Sequence, residues 1–301
     1  MYDIRYIKLS FILRIKNKCK MPYFKNSALR GGMGKMLMEF SCLGNGRCET
    51  CEYSRNCMVD KVMYSKLKYK PDFIANETSV GYILECFDKK IDYEREELLK
   101  FNLILFGDTI NYINHFIYAF DVLGSKGIGK FYSKYKLEKV INENGQDVFI
   151  DGQIIKSNIL IRSVKEYICE RKKQLVNVPS VIMNFISPFR YKFKGHYKTK
   201  IDIYDLAIAL NRRINILNAN EGIEDEVNIQ CNNCEFISEN LNWSENQRYS
   251  SRQDSKMKLG GVEGSISLSV NNDAFLELLI AGELVHIGKN SSFGLGKYVL
   301  F

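Results

Sequence analysis

The chain has 301 residues, 46% of them hydrophobic, which is long enough to bury a sizeable core in two domains. Its 43 Lys plus Arg against 35 Asp plus Glu leave a net charge of +8, an excess that favours a polyanionic partner. No apolar run is long enough to cross a bilayer, and Met1-Tyr2-Asp3-Ile4-Arg5-Tyr6 carries no signal-peptide pattern. Nine cysteines in such a chain point to thiols or metal ligands rather than disulfides, so a cytoplasmic, prokaryotic-type protein is expected.

In chain order, Ile7, Leu9, Phe11, Leu13 and Ile15 alternate with Lys8, Ser10, Arg14 and Lys16, which predicts a first strand broken only by Ile12. A helix from Asn26 or Ser27 through Leu29, Met33, Leu37 and Phe40 follows. Next, Cys42-X5-Cys48-X2-Cys51-X5-Cys57 packs four thiols into sixteen residues, with Gly44, Asn45 and Gly46 favouring a tight turn. Four soft ligands so spaced suit a closed tetrahedral zinc site of structural rather than catalytic kind; an iron–sulfur cluster could use the same thiolates. Cys231-X2-Cys234 has no partners nearby and is read as holding no metal. Cys19, Cys86 and Cys169 read as ordinary thiols.

Ile110 to Leu123 reads as an apolar helix, leading into Gly124-Ser125-Lys126-Gly127-Ile128-Gly129-Lys130-Phe131 and a strand from Phe131 to Val140. The polar stretch Asn142 to Asp147 marks a boundary between domains at 1–148 and 149–301, with the cysteine insertion at about 41–60. Strand-like residues from Val181 to Phe193 open the second half. Within them Phe189-Arg190-Tyr191-Lys192-Phe193-Lys194 alternates rings with cations, so on a strand the two would face opposite ways. That pattern fits core rings under solvated cations, and equally cations on phosphates or rings under unstacked bases. His196, Lys198 and Lys200 continue the basic stretch.

A helix from Asp202 to Leu217 places Leu206, Leu210, Ile214 and Leu217 on one face, with Asp202 or Asp205 as its cap. Beyond Trp243, Arg248, Arg252 and Lys256 recur at four-residue steps beside Tyr249 and Lys258. On a helix or an extended segment they form a cationic stripe, suited to a phosphate backbone or to water. Gly260 and Gly261 break the segment, Gly264 to Val270 reads as a strand, and Asp273 to Val285 is helical.

The chain closes on Gly288-Lys289-Asn290-Ser291-Ser292-Phe293-Gly294-Leu295-Gly296-Lys297 and a strand from Tyr298 to Phe301. Glycines let a backbone approach another molecule, and amides beside Lys289 and Lys297 suit a phosphate. Gly-Leu-Gly-Lys-Tyr here echoes Gly-Ile-Gly-Lys-Phe in the first half, which indicates a duplicated unit. Strand, helix, strands, helix, glycine turn and strand in each half is the order of a split βαβ domain. The predicted fold is α+β, with two tandem ferredoxin-like (RRM-like) domains. Of three histidines, His115 sits inside the apolar helix and reads as packed, and His196 lies in a basic stretch where it can touch RNA. His286 stands two residues before the glycine loop, as a proton-transfer group beside a bound phosphate or as a packed side chain.

These residues together resemble the CRISPR-associated repeat-processing endoribonucleases of the RAMP superfamily. The resemblance runs through Gly124 to Lys130, Ser187-Pro-Phe-Arg190, Trp243 with Arg248-Tyr-Ser-Ser-Arg-Gln253, Leu259-Gly-Gly261, Gly264 and His286 to Tyr298. The Cys42 to Cys57 cluster resembles one seen in part of that family. The resemblance implies a repeat-RNA substrate and metal-independent cleavage, in which a ribose 2′-OH attacks the adjacent phosphodiester to leave a 2′,3′-cyclic phosphate and a 5′-OH. It implies proton transfer by His286, with Tyr249 a lesser candidate, and phosphate contact by Lys289 with the backbone at Gly288, Ser292, Gly294, Gly296 and Lys297. Arg190, Lys192, Lys194, His196, Arg248, Arg252, Lys256 and Lys258 would grip the RNA. The family's frequent histidine on the first helix is missing from Pro22 to Phe40. A non-catalytic RNA-binding subunit of a CRISPR effector complex is therefore the alternative, with a monomer and a homodimer both open.

Overall fold

A computed structural model describes residues 1–44, 46–74, 78–175, 180–245, 247–250 and 255–301, apart from the side chains of Glu49, Arg55, 247–250 and 255–257. The chain divides into two compact units. One comprises Arg5–Lys70 and Ile74–Ile161, the other Met1–Ile4, Pro71–Phe73 and Arg162–Phe301.

The first unit contains β1 (Arg5–Ile15), α1 (Lys25–Ser41), β2 (Tyr82–Glu85), β3 (Leu98–Phe106), α2 (Ile113–Lys126) and β4 (Tyr135–Ile141). Its antiparallel strands lie in the order β2-β3-β1-β4, which makes it ferredoxin-like. The alternation read from the sequence is realised, with Ile7, Leu9, Phe11, Leu13 and Ile15 all buried in one core. Phe11 stacks on Phe101 with ring centroids 4.8 Å apart and meets the edge of Phe120 at 5.0 Å. The stretch from Asn142 to Asp147 is not a domain boundary. Asn142 Oδ1 accepts from the amides of Asn144 (2.9 Å) and Gln146 (3.0 Å), an Asx turn that reverses the chain. β5 (Asp147–Ile150) and β6 (Gln153–Ile154) then extend the same sheet, and the first unit ends at Ile161.

In the second unit α3 (Val164–Gln174) precedes β7 (Val181–Phe189), α4 (Ile203–Glu221), β8 (Cys234–Ser244), β9 (Gly261–Val270), α5 (Asp273–Val285) and β10 (Tyr298–Leu300). The order β8-β9-β7-β10 repeats the topology of the first unit. Asp202 and Asp205 cap α4 reciprocally, each carboxylate accepting from the other's amide, so both predicted caps act together. Leu206, Leu210, Ile214 and Leu217 are fully buried along α4. Gln247–Ser250 pairs with Ser255–Lys258 as a hairpin, in which Tyr249 stands opposite Lys256. The segment carrying Arg248 and Lys256 is therefore extended, not helical.

The duplication is structural, with an offset the sequence alignment hides. Gly124 on α2 lies against Tyr135, whose hydroxyl donates to the Phe120 carbonyl. Gly282 on α5 lies against Tyr298, whose hydroxyl donates to the Leu279 carbonyl. Tyr298 thus corresponds to Tyr135 and not to Phe131, because each tyrosine opens the last strand and needs a side-chain-free helix surface beneath it.

Candidate nucleic-acid interface

The site is assembled around Arg190, where β7 has ended. The Arg190 carbonyl accepts from the Lys289 amide at 2.8 Å, and residues 190 and 288 bridge in parallel. Its guanidinium donates to the Lys258 carbonyl at 2.8 Å and lies 4.1 Å from the centroid of the Tyr197 ring. Three segments meet at this one side chain: the glycine loop after α5, the hairpin of Lys192–Phe193 with His196–Tyr197, and the end of the Ser255–Lys258 strand. Arg190 is only 9% exposed, so it is a joint between these segments rather than a free cation.

A second latch holds the far side of the loop. Ser187 Oγ donates to the Gly294 carbonyl at 2.7 Å and accepts from the Lys297 amide at 3.0 Å, while the Gly296 amide donates to Pro188 O at 2.9 Å. Gly296 has φ +72°, and a Cβ there would meet the Ile287 carbonyl oxygen at 1.8 Å. Only glycine lets this loop close. The amides of Ile287, Lys289, Phe293, Gly294, Gly296 and Lys297 are thereby used inside the protein. The sequence reading offered Gly294, Gly296 and Lys297 to phosphate through such groups; their amides are committed to shaping the loop instead.

One expected site cation, Lys297, is also structural, as is Arg213 of α4. Lys297 Nζ donates to the Glu283 carbonyl at 2.6 Å and Arg213 Nε to the Val285 carbonyl at 2.8 Å. Both complement the negative end of the α5 dipole. Burial lowers the Arg213 pKa to about 10.

His286 is 0% exposed. Its Nδ1 stands 3.2 Å from the Leu295 carbonyl, an acceptor only, so Nδ1 carries the proton and donates. Its backbone lies at φ 55° and ψ 159°, a region that a side chain occupies only under constraint. As placed, His286 ties the two arms of the loop together and does not reach solvent. The expectation of a proton-transfer role is corrected to a positioning role on this ground.

What the site does present to solvent is cationic and aromatic. Lys192, Lys194, His196, Lys258 and Lys289 are exposed, as is Phe193 at 49%. Among the described residues, Lys192, Lys194, Lys258 and Lys289 form no ion pair. Lys198, by contrast, is engaged with Asp205 and Asp202, and its hydrogen bond to Asp205 holds its ammonium above the ordinary lysine value. Phe193 lies outside the core because the strand turns back after Phe189, so the ring–cation alternation expected through Phe193 ends at Tyr191. Ser292 is half-buried beside Lys289. Arg252 lies outside the described residues, as do the side chains of Arg248, Tyr249 and Lys256.

Sequence reasoning missed the latch and the joint. The signal for both was Ser187-Pro-Phe-Arg190, whose residue types suggested RNA contact but whose position at a strand end makes them loop supports.

In the first unit Cys42, Cys48, Cys51 and Cys57 line one cavity of about 450 Å³ between α1 and the short helix Met58–Met63. A Cβ on Gly44 would lie 3.2 Å from Cys51 Sγ, so the turn hugs the thiols. Burial raises the Cys48 pKa, with Cys57, Asp60, Cys42 and Cys51 adding to it. Among the described residues no three His, Cys, Asp or Glu side chains already stand in a metal-ligating cluster.

Comparison with known proteins places both units. The family model AF_1859_N, an N-terminal domain, matches residues 4–164. The model for the CRISPR-associated endoribonuclease Cas6 matches residues 183–298. An uncharacterized protein of Archaeoglobus fulgidus is 25% identical over 285 residues, covering 92% of this chain and 91% of its own. Among solved structures, a chain of a partial Cas6-RT-Cas1–Cas2 complex superposes with a TM-score of 0.60 at 13% identity over 99% of this chain, which spans only 46% of that chain's length. A Cas6 product complex superposes with a TM-score of 0.55 at 14% identity, over 98% of this chain and 99% of its own. At such identities the structural likenesses speak for the fold.

Proposed function

Because the chain belongs to the Cas6 family of CRISPR-associated endoribonucleases, we propose that it binds CRISPR repeat RNA and cuts within the repeat by metal-independent transesterification. The ribose 2′-oxygen bonds to the adjacent phosphorus as its proton leaves. The bond to the 5′-oxygen breaks, and that oxygen gains a proton. The products are a 2′,3′-cyclic phosphate and a 5′-OH end. The observation that carries this reading is the exposed Lys289 at the tip of a loop locked by Arg190, Ser187 and His286, flanked by Lys192, Lys194, His196 and Lys258. A cation on a fixed loop stabilises the charge that grows on the phosphoryl oxygens without reorganising during the reaction. Lys289 is assigned that role, and Tyr249, on the hairpin whose last carbonyl Arg190 holds, is assigned proton transfer. Gly288, with φ +81°, leaves no room for a Cβ, which would meet the Arg190 carbonyl oxygen at 2.6 Å, so glycine there lets the loop carrying Lys289 dock on Arg190.

The burial of His286 favours one second reading, an RNA-binding subunit that does not cut. Labelled repeat RNA incubated with the protein in chelator decides between them. A discrete cut with a cyclic-phosphate end, lost by about a hundredfold in Lys289→Ala, is expected for removal of one charge-stabilising group. Tight binding without any cut would establish the second reading and withdraw the first. We also infer that Cys42, Cys48, Cys51 and Cys57 hold a structural zinc, with an iron–sulfur cluster as the other occupant such thiolates suit. A zinc there supplies cross-links between α1 and the insertion, and no chemistry at the RNA.

A further inference from the structure

We propose that the first unit carries a second RNA contact, a rigid glycine turn at residues 127–133 on which unpaired bases stack; this rests on the reading of the chain as an RNA-binding protein. The turn follows α2, capped by Gly127 at φ +94°, where a Cβ would meet the Tyr132 carbonyl oxygen at 2.3 Å. Ile128 and Ser133 exchange backbone hydrogen bonds of 3.0 and 3.1 Å, and the Tyr132 amide donates to Gly129 O at 3.2 Å. Ser133 Oγ donates to the Lys20 carbonyl at 2.8 Å, and Ile128 is buried beneath. The turn is therefore fixed before any ligand arrives, and little freedom remains to be lost on binding.

Its tip presents Lys130, Phe131 and Tyr132, the two rings 59% and 69% exposed. Exposed Lys134 and Lys136 follow in the chain, and the Lys16 amide bonds to the Lys134 carbonyl at 3.1 Å. Among the described residues, Lys16, Lys130, Lys134 and Lys136 form no ion pair. The carboxylate facing them is Asp121, which interacts with Lys136 and Lys16. Lys18, Lys20 and Lys126 are matched by Glu94, Asp92 and Glu39.

Two exposed rings flanked in the chain by Lys130 and Lys134, which form no ion pair among the described residues, select the ligand. Phosphates meet the lysines, and bases with a free face stack on the rings. A duplex offers no such faces, so the partner is single-stranded RNA. A purely apolar protein surface would leave the lysines unmatched.

The test uses the whole chain and a fluorescent, unstructured RNA of mixed sequence, about 12 nucleotides long, within the usual footprint of stacking sites. Phe131→Ala/Tyr132→Ala is expected to weaken binding about tenfold or more while thermal unfolding stays unchanged, because both rings are already outside the core. Lys130→Gln/Lys134→Gln is expected to reduce the slope of log affinity against log salt by about 1.4. Photo-cross-linking with 4-thiouridine RNA is expected to label the peptide carrying Phe131 and Tyr132. Wild-type affinity in the ring variant overturns the inference and leaves the second unit's interface standing. A wild-type protein that binds no RNA of any kind overturns the proposed function itself.

Discussion

His286 shows how far a residue type alone informs. It is the one histidine beside the glycine loop, and the sequence offers both catalysis and packing for it. Burial and the bond from Nδ1 to Leu295 O decide for packing. The two roles separate in a pH–rate profile. A general base with an ordinary histidine pKa gives a rate that rises as pH passes through about 6.5 and then levels, a limb that vanishes with the imidazole. A positioning residue leaves the shape alone. His286→Asn keeps a donor for the Leu295 carbonyl, so a fall of no more than about tenfold with an unchanged pH profile is expected, since one hydrogen bond to a loop is worth about 1 kcal/mol. Loss of the limb near neutrality would return His286 to the chemistry. Arg190 teaches the converse: it sits among basic residues, yet its guanidinium is spent on Lys258 O and the Tyr197 ring. No sequence pattern distinguishes a cation that faces water from one that braces a loop.

At the scale of elements, regular periods were legible and chain reversals were not. The alternation from Ile7 to Ile15 gave β1, and the helical spacing from Leu206 to Leu217 gave α4 with both of its caps. The stretch from Asn142 to Asp147 misled because an Asx turn inside a sheet has the same composition as a linker. The strand expected to run through Phe193 ends at Phe189, since no local rule marks where a paired edge gives out. The cysteine insertion has no regular period at all, and its four thiols share one cavity wall without being gathered around a centre. On the structural-zinc reading its stability depends on the metal. Purified protein is expected to carry about one zinc per chain by elemental analysis, and both Cys48→Ser and chelation are expected to lower the unfolding temperature. Chelation and Cys48→Ser that both leave the unfolding temperature unchanged would refute the structural zinc, and iron with inorganic sulfide would replace it with a cluster.

At the scale of the whole molecule, the tandem fold followed from the repeat, whose two sheets share one strand order. The net charge of +8 is distributed unevenly in kind: many lysines are matched by carboxylates, whereas Lys130 in the first unit and Lys192 and Lys194 in the second form no ion pair among the described residues and adjoin exposed aromatic residues in the chain. That distribution matters more for a polyanion than the total. Each lysine that meets a phosphate releases a counterion, and for single-stranded RNA it adds about 0.7 to the slope of log affinity against log salt. This increment depends on the number of contacts and not on how the two units are arranged. Lys192→Gln/Lys194→Gln in the second unit is therefore expected to reduce the slope for repeat RNA by about 1.4, with no change in the unfolding temperature, because both side chains are exposed and form no ion pair among the described residues. Titration by fluorescence anisotropy between about 50 and 200 mM salt measures it. An unchanged slope would mean that the hairpin faces water when RNA is bound, and the phosphate path would then have to be sought along Lys258 and Lys289 alone.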